Sequence, residues 1–213
     1  MLKSSISLIP ARRDLYQAKL VFYLFIASLA MFFIASIITY CLIRVEAFRT
    51  VEFTYNAASN SMVESTRVYE PLKLPISFWT STLLLIGISV FLQRAVWSVR
   101  RENQIGFRRC LVWSWSLAVA FVVIQSFGMF ELVSHHFSQS DGSTKVYGMS
   151  FTLALIHALH VLGGIAFLGF VIYQALRDRY DHERHWAVEH CASYWHFLDV
   201  VWIAMLIVFA ITK

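Results

Sequence analysis

Charged side chains are missing from five long stretches of this chain: Leu20–Ile43, Leu74–Gln93, Cys110–Phe130, Val146–Leu176 and Cys191–Thr212, the last interrupted only by Asp199. Each can cross a hydrocarbon core about 30 Å thick, which takes roughly 20 helical residues at about 1.5 Å of rise apiece. Lipid offers no partner to backbone amides, so spans of this length are helical. The pattern predicts an all-α polytopic membrane protein: one membrane domain over residues 1–213, a five-transmembrane-helix bundle with helices at about 20–43, 75–97, 110–132, 149–173 and 191–212. Composition agrees, since 58% of residues are hydrophobic and 15% charged, against roughly a quarter charged in soluble domains.

Little chain remains outside the spans to build a soluble catalytic domain. The net charge of +5 is explained by topology rather than by nucleic acid. With the N-terminus cytoplasmic, that side holds Lys3, Arg12, Arg13, Lys19, Arg100, Arg101, Arg108, Arg109, Arg177, Arg179 and Arg184. The other side holds Arg44, Arg49, Arg67, Lys73, Lys145 and Lys213, an excess of eleven over six that predicts N-terminus in and C-terminus out. Cys41, Cys110 and Cys191 are too scattered for a disulfide framework or a zinc site and read as buried thiols. The first apolar stretch is too long for a signal-peptide core and is expected to remain as an anchor.

Pro10 argues against a continuous helix in the polar N-terminal tail. The connection from Arg44 to Lys73 balances Glu46, Glu52, Glu64 and Glu70 against four cations and reads as interfacial, docking a partner or, the preferred reading, capping the bundle. Ser138–Ser143 reads as a turn. His135 and His136 sit just beyond the third span, with no third metal ligand nearby.

Chemistry-bearing residues concentrate in the last two spans. In the fourth, His157, His160 and Gly164 share a face by their spacing; in the fifth, so do His196 and Asp199. Helical rise places His160 about 14 Å above the inner boundary and Asp199 roughly 12 Å above it. An unpaired aspartate there costs about 3 kcal/mol or more, so Asp199 is expected to hydrogen-bond a histidine of the fourth helix, His160 first among them. Gly163 and Gly164 would let the two helices approach closely enough. Three functions compete for these side chains: haem ligation by His157 or His160 opposite His196, a metal-dependent membrane oxygenase, and a structural polar network of His157, His160, Glu189, His196 and Asp199. Haem or metal sites need more paired ligands at matched depth than this chain offers, so the structural network is preferred, with no catalytic, cofactor-binding or metal residue assigned.

The run Tyr194–Trp202 (YWHFLDVVW), with Glu189 five residues before it, resembles the terminal-helix signature of subunit III of haem-copper cytochrome c oxidases. His157-Ala158-Leu159-His160-Val161, followed by Gly163-Gly164 and preceded by Tyr147-Gly148, resembles that family's HGxHV motif. Weaker similarity runs back through Gln125, Thr80-Ser81 and Pro75 to Leu24–Ser28, and five spans match the shorter bacterial form, which lacks the first two helices of longer members. The resemblance implies a non-redox accessory subunit of a respiratory terminal oxidase in a bacterial cytoplasmic membrane. It would pack directly on subunit I, join subunit II and other subunits, and bind phospholipid. Haem and copper would lie in the partner subunits and no cofactor in this chain, and the complex would couple oxygen reduction to proton translocation. The alternatives are a stand-alone b-type cytochrome or metalloenzyme, or the equivalent subunit of a quinol oxidase or nitric oxide reductase. Leu29 and Gly128 stand where the family usually has glutamates, and Ala158 where it has glycine.

Overall fold

A computed structural model of the chain describes residues 8–49, 51–56, 61–66, 76–138, 144–177, 180 and 185–211. The elements are α1 (Leu8–Arg49), β1 (Val51–Asn56), β2 (Ser61–Thr66), α2 (Ile76–Arg100), α3 (Gln104–Ser138), α4 (Thr144–Leu176) and α5 (Trp186–Ile211). All five helices are long and apolar enough to cross a membrane, which makes this a multi-pass membrane protein.

The helices outrun the charge-free stretches because a charged residue ends the apolar span without breaking the backbone ladder. Lys19, Arg100 and Arg109 all lie within helices, where long basic side chains reach toward the headgroups. Pro10 falls in the first turn of α1, where an amide has no helical acceptor to lose, so proline is tolerated there. His135 and His136 belong to the last turns of α3 rather than to a loop. Of the expected turn at Ser138–Ser143, residues 139–143 lie outside the described residues.

The α1–α2 connection contains an antiparallel hairpin, with Val51 opposite Thr66 and Asn56 opposite Ser61. Among the described residues its strands approach each other and no helix; residues 57–60 and 67–73 of the expected cap lie outside the described residues.

The chain divides into two compact units, one ending at Ala35 and one running from Ser36. In the first, α1 exposes Leu20, Leu24, Phe25 and Met31, as suits a helix whose solvent is lipid. In the second, α2 packs on α3 and α5, and α4 packs on the same two, which closes a four-helix ring. Tyr40 of α1, fully buried, meets Phe209 edge to face with ring centroids 5.1 Å apart.

Trp202 of α5 occupies the centre of the ring. Phe78 of α2 and Phe121 of α3 meet its indole edge to face at 5.4 and 6.3 Å, and His157 of α4 stacks on it at 5.1 Å. The α2–α3 turn is equally specified. Glu102 adopts a left-handed φ of 59°, and the amides of Glu102 and Asn103 bond the carbonyls of Val99 and Ser98. This paired closure ends a helix and satisfies its last carbonyls. Asn103 then caps α3, its Oδ1 accepting from the Gly106 amide at 2.9 Å.

Candidate functional site: a polar seam inside the membrane

Thr82, Ser89, Gln93 and Arg100 follow one another on α2 at intervals of seven, four and seven residues, which keeps them on one helical face. Opposite them α5 presents Trp202, Asp199, His196 and Glu189. The two rows mate in register. Trp202 Nε1 donates to Thr82 Oγ1 at 3.0 Å, and Ser89 Oγ donates to Asp199 Oδ2. His196 bonds Ser89 Oγ through Nδ1 at 3.1 Å and Gln93 Oε1 through Nε2 at 3.3 Å. At the end of the seam nearest the α2–α3 turn, Arg100 pairs with Glu189, which His185 also meets at 3.0 Å.

Ser89 and Asp199 are buried, at 8% and 7% exposure, whereas His196 and Gln93 are half-buried. Carboxylates at membrane depth turn inward to a partner, and Asp199 does so. The partner, however, is Ser89 of α2 and not His160 of α4. His160 Nδ1 donates instead to the Ile156 carbonyl one turn back at 2.8 Å, and its own carbonyl accepts from Tyr194 Oη at 3.0 Å. Depth along a helix does not specify azimuth, and the Asp199 face of α5 looks toward α2.

The two glycines of α4 differ. A Cβ on Gly164 would lie 3.2 Å from the Tyr194 ring and 3.3 Å from the Trp195 indole, so α4 and α5 touch through the absence of a side chain. A Cβ on Gly163 would meet Tyr194 Oη at an ordinary 3.7 Å. Gly128 of α3 is tighter still, since a Cβ there would come within 2.5 Å of Ser77 Oγ and 2.8 Å of the Phe78 ring. A glutamate at that position therefore needs the start of α2 to move.

His157 engages the Trp202 face while His196 bonds α2, so the residues that a bis-histidine haem would need together are engaged by different partners. Among the described residues no three His, Cys, Asp or Glu side chains cluster as a metal set. Elsewhere, Gln125 is 3% exposed beside an apolar cleft of about 310 Å³ between α3 and α4, lined by Phe121, Met129, Phe151, Leu155 and Leu162. Outside the spans, Tyr180 is buried against Phe107, and its carbonyl accepts from Gln104 at 3.3 Å. Burial, with a smaller contribution from Cys191, pushes its phenol up to about 12.

Ser89, Gln93 and Thr82 were not singled out from sequence, although their spacing on α2 was a usable signal: short polar residues in a stripe along an apolar helix rarely face lipid.

The sequence model of the family described as cytochrome c oxidase subunit III matches residues 15–212. Cytochrome c oxidase subunit 3 of Rattus norvegicus is 33% identical over 138 residues, covering 64% of this chain and 49% of that protein. A probable cytochrome c oxidase subunit 3 of Mycobacterium leprae is 33% identical over 131 residues (60% of this chain, 62% of that protein). The Corynebacterium diphtheriae protein of the same name is 33% identical over 127 residues (59% and 60%). The chain thus spans about half the length of the mammalian relative and somewhat more of the bacterial ones. With the match running from α1 to the end of α5 and taking in both rows of the seam, the chain belongs to the cytochrome c oxidase subunit III family.

Proposed function

We propose that this protein is a non-redox accessory subunit of a respiratory haem-copper terminal oxidase, stabilising the catalytic subunit while the partner subunits carry haem and copper. The observation that carries this reading is the use made of the terminal-helix run Tyr194–Trp202. His196 and Asp199 hydrogen-bond side chains of α2, and Trp202 fills the ring centre, so its chemistry-bearing residues are engaged in helix packing. The relatives named cytochrome c oxidase subunit 3 support the same reading. Half-buried His196 and Gln93 suit a surface covered by another membrane subunit, with subunit I as the direct neighbour, subunit II and others in the complex, and phospholipid around it. In this reading the chain sits in a bacterial cytoplasmic membrane, N-terminus inside and C-terminus outside, as the arginines near the α2–α3 turn favour. The parent complex reduces oxygen and translocates protons.

Affinity purification in mild detergent tests the proposal. A haem-copper catalytic subunit is expected to accompany the tagged chain, and the chain freed of partners is expected to show no Soret band. A Soret band or stoichiometric iron in the isolated chain, or purification without any haem-copper subunit, overturns it.

A further inference from the structure

We propose that Asp199, Ser89 and His196 form one buried proton-binding site, in which a single proton is shared between carboxyl and imidazole through the Ser89 hydroxyl. The geometry alone leads here, independently of the oxidase reading. Ser89 Oγ bonds both Asp199 Oδ2 and His196 Nδ1, the latter at 3.1 Å. A serine hydroxyl has one proton to give and lone pairs to accept with, so it bridges the two only in a consistent direction.

Two protonation patterns satisfy every contact on the same heavy-atom frame. In the first, the Asp199 carboxyl is protonated and donates to Ser89 Oγ, whose own proton goes to Nδ1 of a neutral His196. In the second, the imidazolium Nδ1–H donates to Ser89 Oγ, and the hydroxyl donates to the Asp199 carboxylate. Conversion breaks the carboxyl O–H and the original hydroxyl O–H, and forms a new hydroxyl O–H and the Nδ1–H. The total charge is unchanged and no heavy atom moves. Gln93 Oε1, 3.3 Å from Nε2, accepts an Nε2–H in both patterns. It therefore fixes Nδ1 as the nitrogen that exchanges.

Removing the proton breaks the match. The single serine O–H then faces two acceptors, carboxylate and Nδ1, and one of them is left unmet in a buried place, a situation that costs stability. Asp199 Oδ1 is buried and has no hydrogen-bond partner among the described residues, so the contact that holds the carboxyl group runs through Oδ2 and Ser89.

Other ionisable groups on the elements packed against α5 are engaged elsewhere. On α4, His157 stacks on Trp202 and His160 bonds Ile156; on α2, Arg100 is taken by Glu189 and Arg94 is exposed; on α1, Tyr40 lies against Phe209. On α5 itself, Tyr194 donates to the His160 carbonyl. The seam thus holds one exchangeable proton in the membrane interior, carried jointly rather than by Asp199 or His196 alone.

Infrared titration of the full chain in its complex, with ring-isotope-labelled histidine, tests this. Asp199→Asn identifies the carboxyl band and His196→Asn the labelled ring band. In the wild type the protonated-carboxyl band and the His196 bands are expected to follow the same midpoints, because the steps of a coupled pair belong to both groups. In Ser89→Ala the coupling is expected to fall below the roughly one pK unit that makes titrations joint, so that each band follows a midpoint of its own. A carboxyl band and a His196 band that each follow a different midpoint in the wild type overturn the proposal whether or not Ser89→Ala assembles, and so does a Ser89→Ala titration identical to the wild type.

Discussion

Where α5 meets α2 the contact is made of hydrogen bonds along a polar stripe, five of them among the described residues with the Arg100–Glu189 pair included; where it meets α4 the contact is made possible by a side chain that is missing, at Gly164. The same helix is held on two sides by different physics. Lipid tails are as apolar as leucine, so burying apolar surface between helices gains little, and association relies on close packing and interhelical hydrogen bonds. The α2 seam relies mainly on the second and the α4 seam mainly on the first, with the bond from Tyr194 Oη to the His160 carbonyl beside it. The difference teaches how each should fail: the packed seam abruptly, when volume is added, and the bonded seam in steps, as partners are removed one by one.

The largest effect is expected from Gly164→Leu. Its side chain meets Tyr194 and Trp195 within the first carbon, and overpacking of this kind costs about 1–3 kcal/mol. The complex should melt earlier in mild detergent, and a melt indistinguishable from wild type would show that the α4 seam is softer than the geometry says. Asp199→Ala comes next, at about 0.6–1.7 kcal/mol for interhelical polar contacts in a membrane. Assembly or turnover durability of the complex should fall while its haem spectrum is unchanged, and altered haem bands would move Asp199 from packing into the redox machinery.

Thr82→Val removes the acceptor of Trp202 Nε1 together with the local bond that Thr82 Oγ1 donates to the Phe78 carbonyl, and only the first of these joins two helices. It should cost about 0.6 kcal/mol, the average for such bonds, in the same melt; a loss equal to that of Asp199→Ala would mean that the seam fails as one unit rather than in steps. Gly163→Ala should lie within about 0.5 kcal/mol of wild type, because its added carbon finds ordinary contact distance. A loss matching Gly164→Leu would erase the distinction between the two glycines.

Much of the fold was legible in where charge is missing, because a hydrocarbon core imposes both length and helicity. The ends were not, since Arg100 or Lys19 closes an apolar stretch without closing a helix, and Pro10 in a first turn loses nothing. The hairpin at 51–66 left no alternation strong enough to read against the nearly neutral connection around it. Within the site, the closeness of α4 to α5 followed from Gly164. The choice of partner did not follow. His160 and Ser89 are both polar groups facing α5's surroundings, and only the rotation of α5 about its axis, set by Trp202 seating between Phe78, Phe121 and His157, selects α2. That rotation is a property of the assembled ring and of no single segment.

The seat of Trp202 also orders events in time. A chain that enters the membrane in sequence delivers α2, α3 and α4 before α5, so Phe78, Thr82, Phe121 and His157 reach the bilayer ahead of the indole that joins them. Until then Ser89 has neither its acceptor Asp199 nor its neighbour His196. The helix that carries Asp199 is thus the latecomer among these four, and its arrival converts an unfinished trio into a closed ring, a step at which a cell could distinguish completed copies from stalled ones.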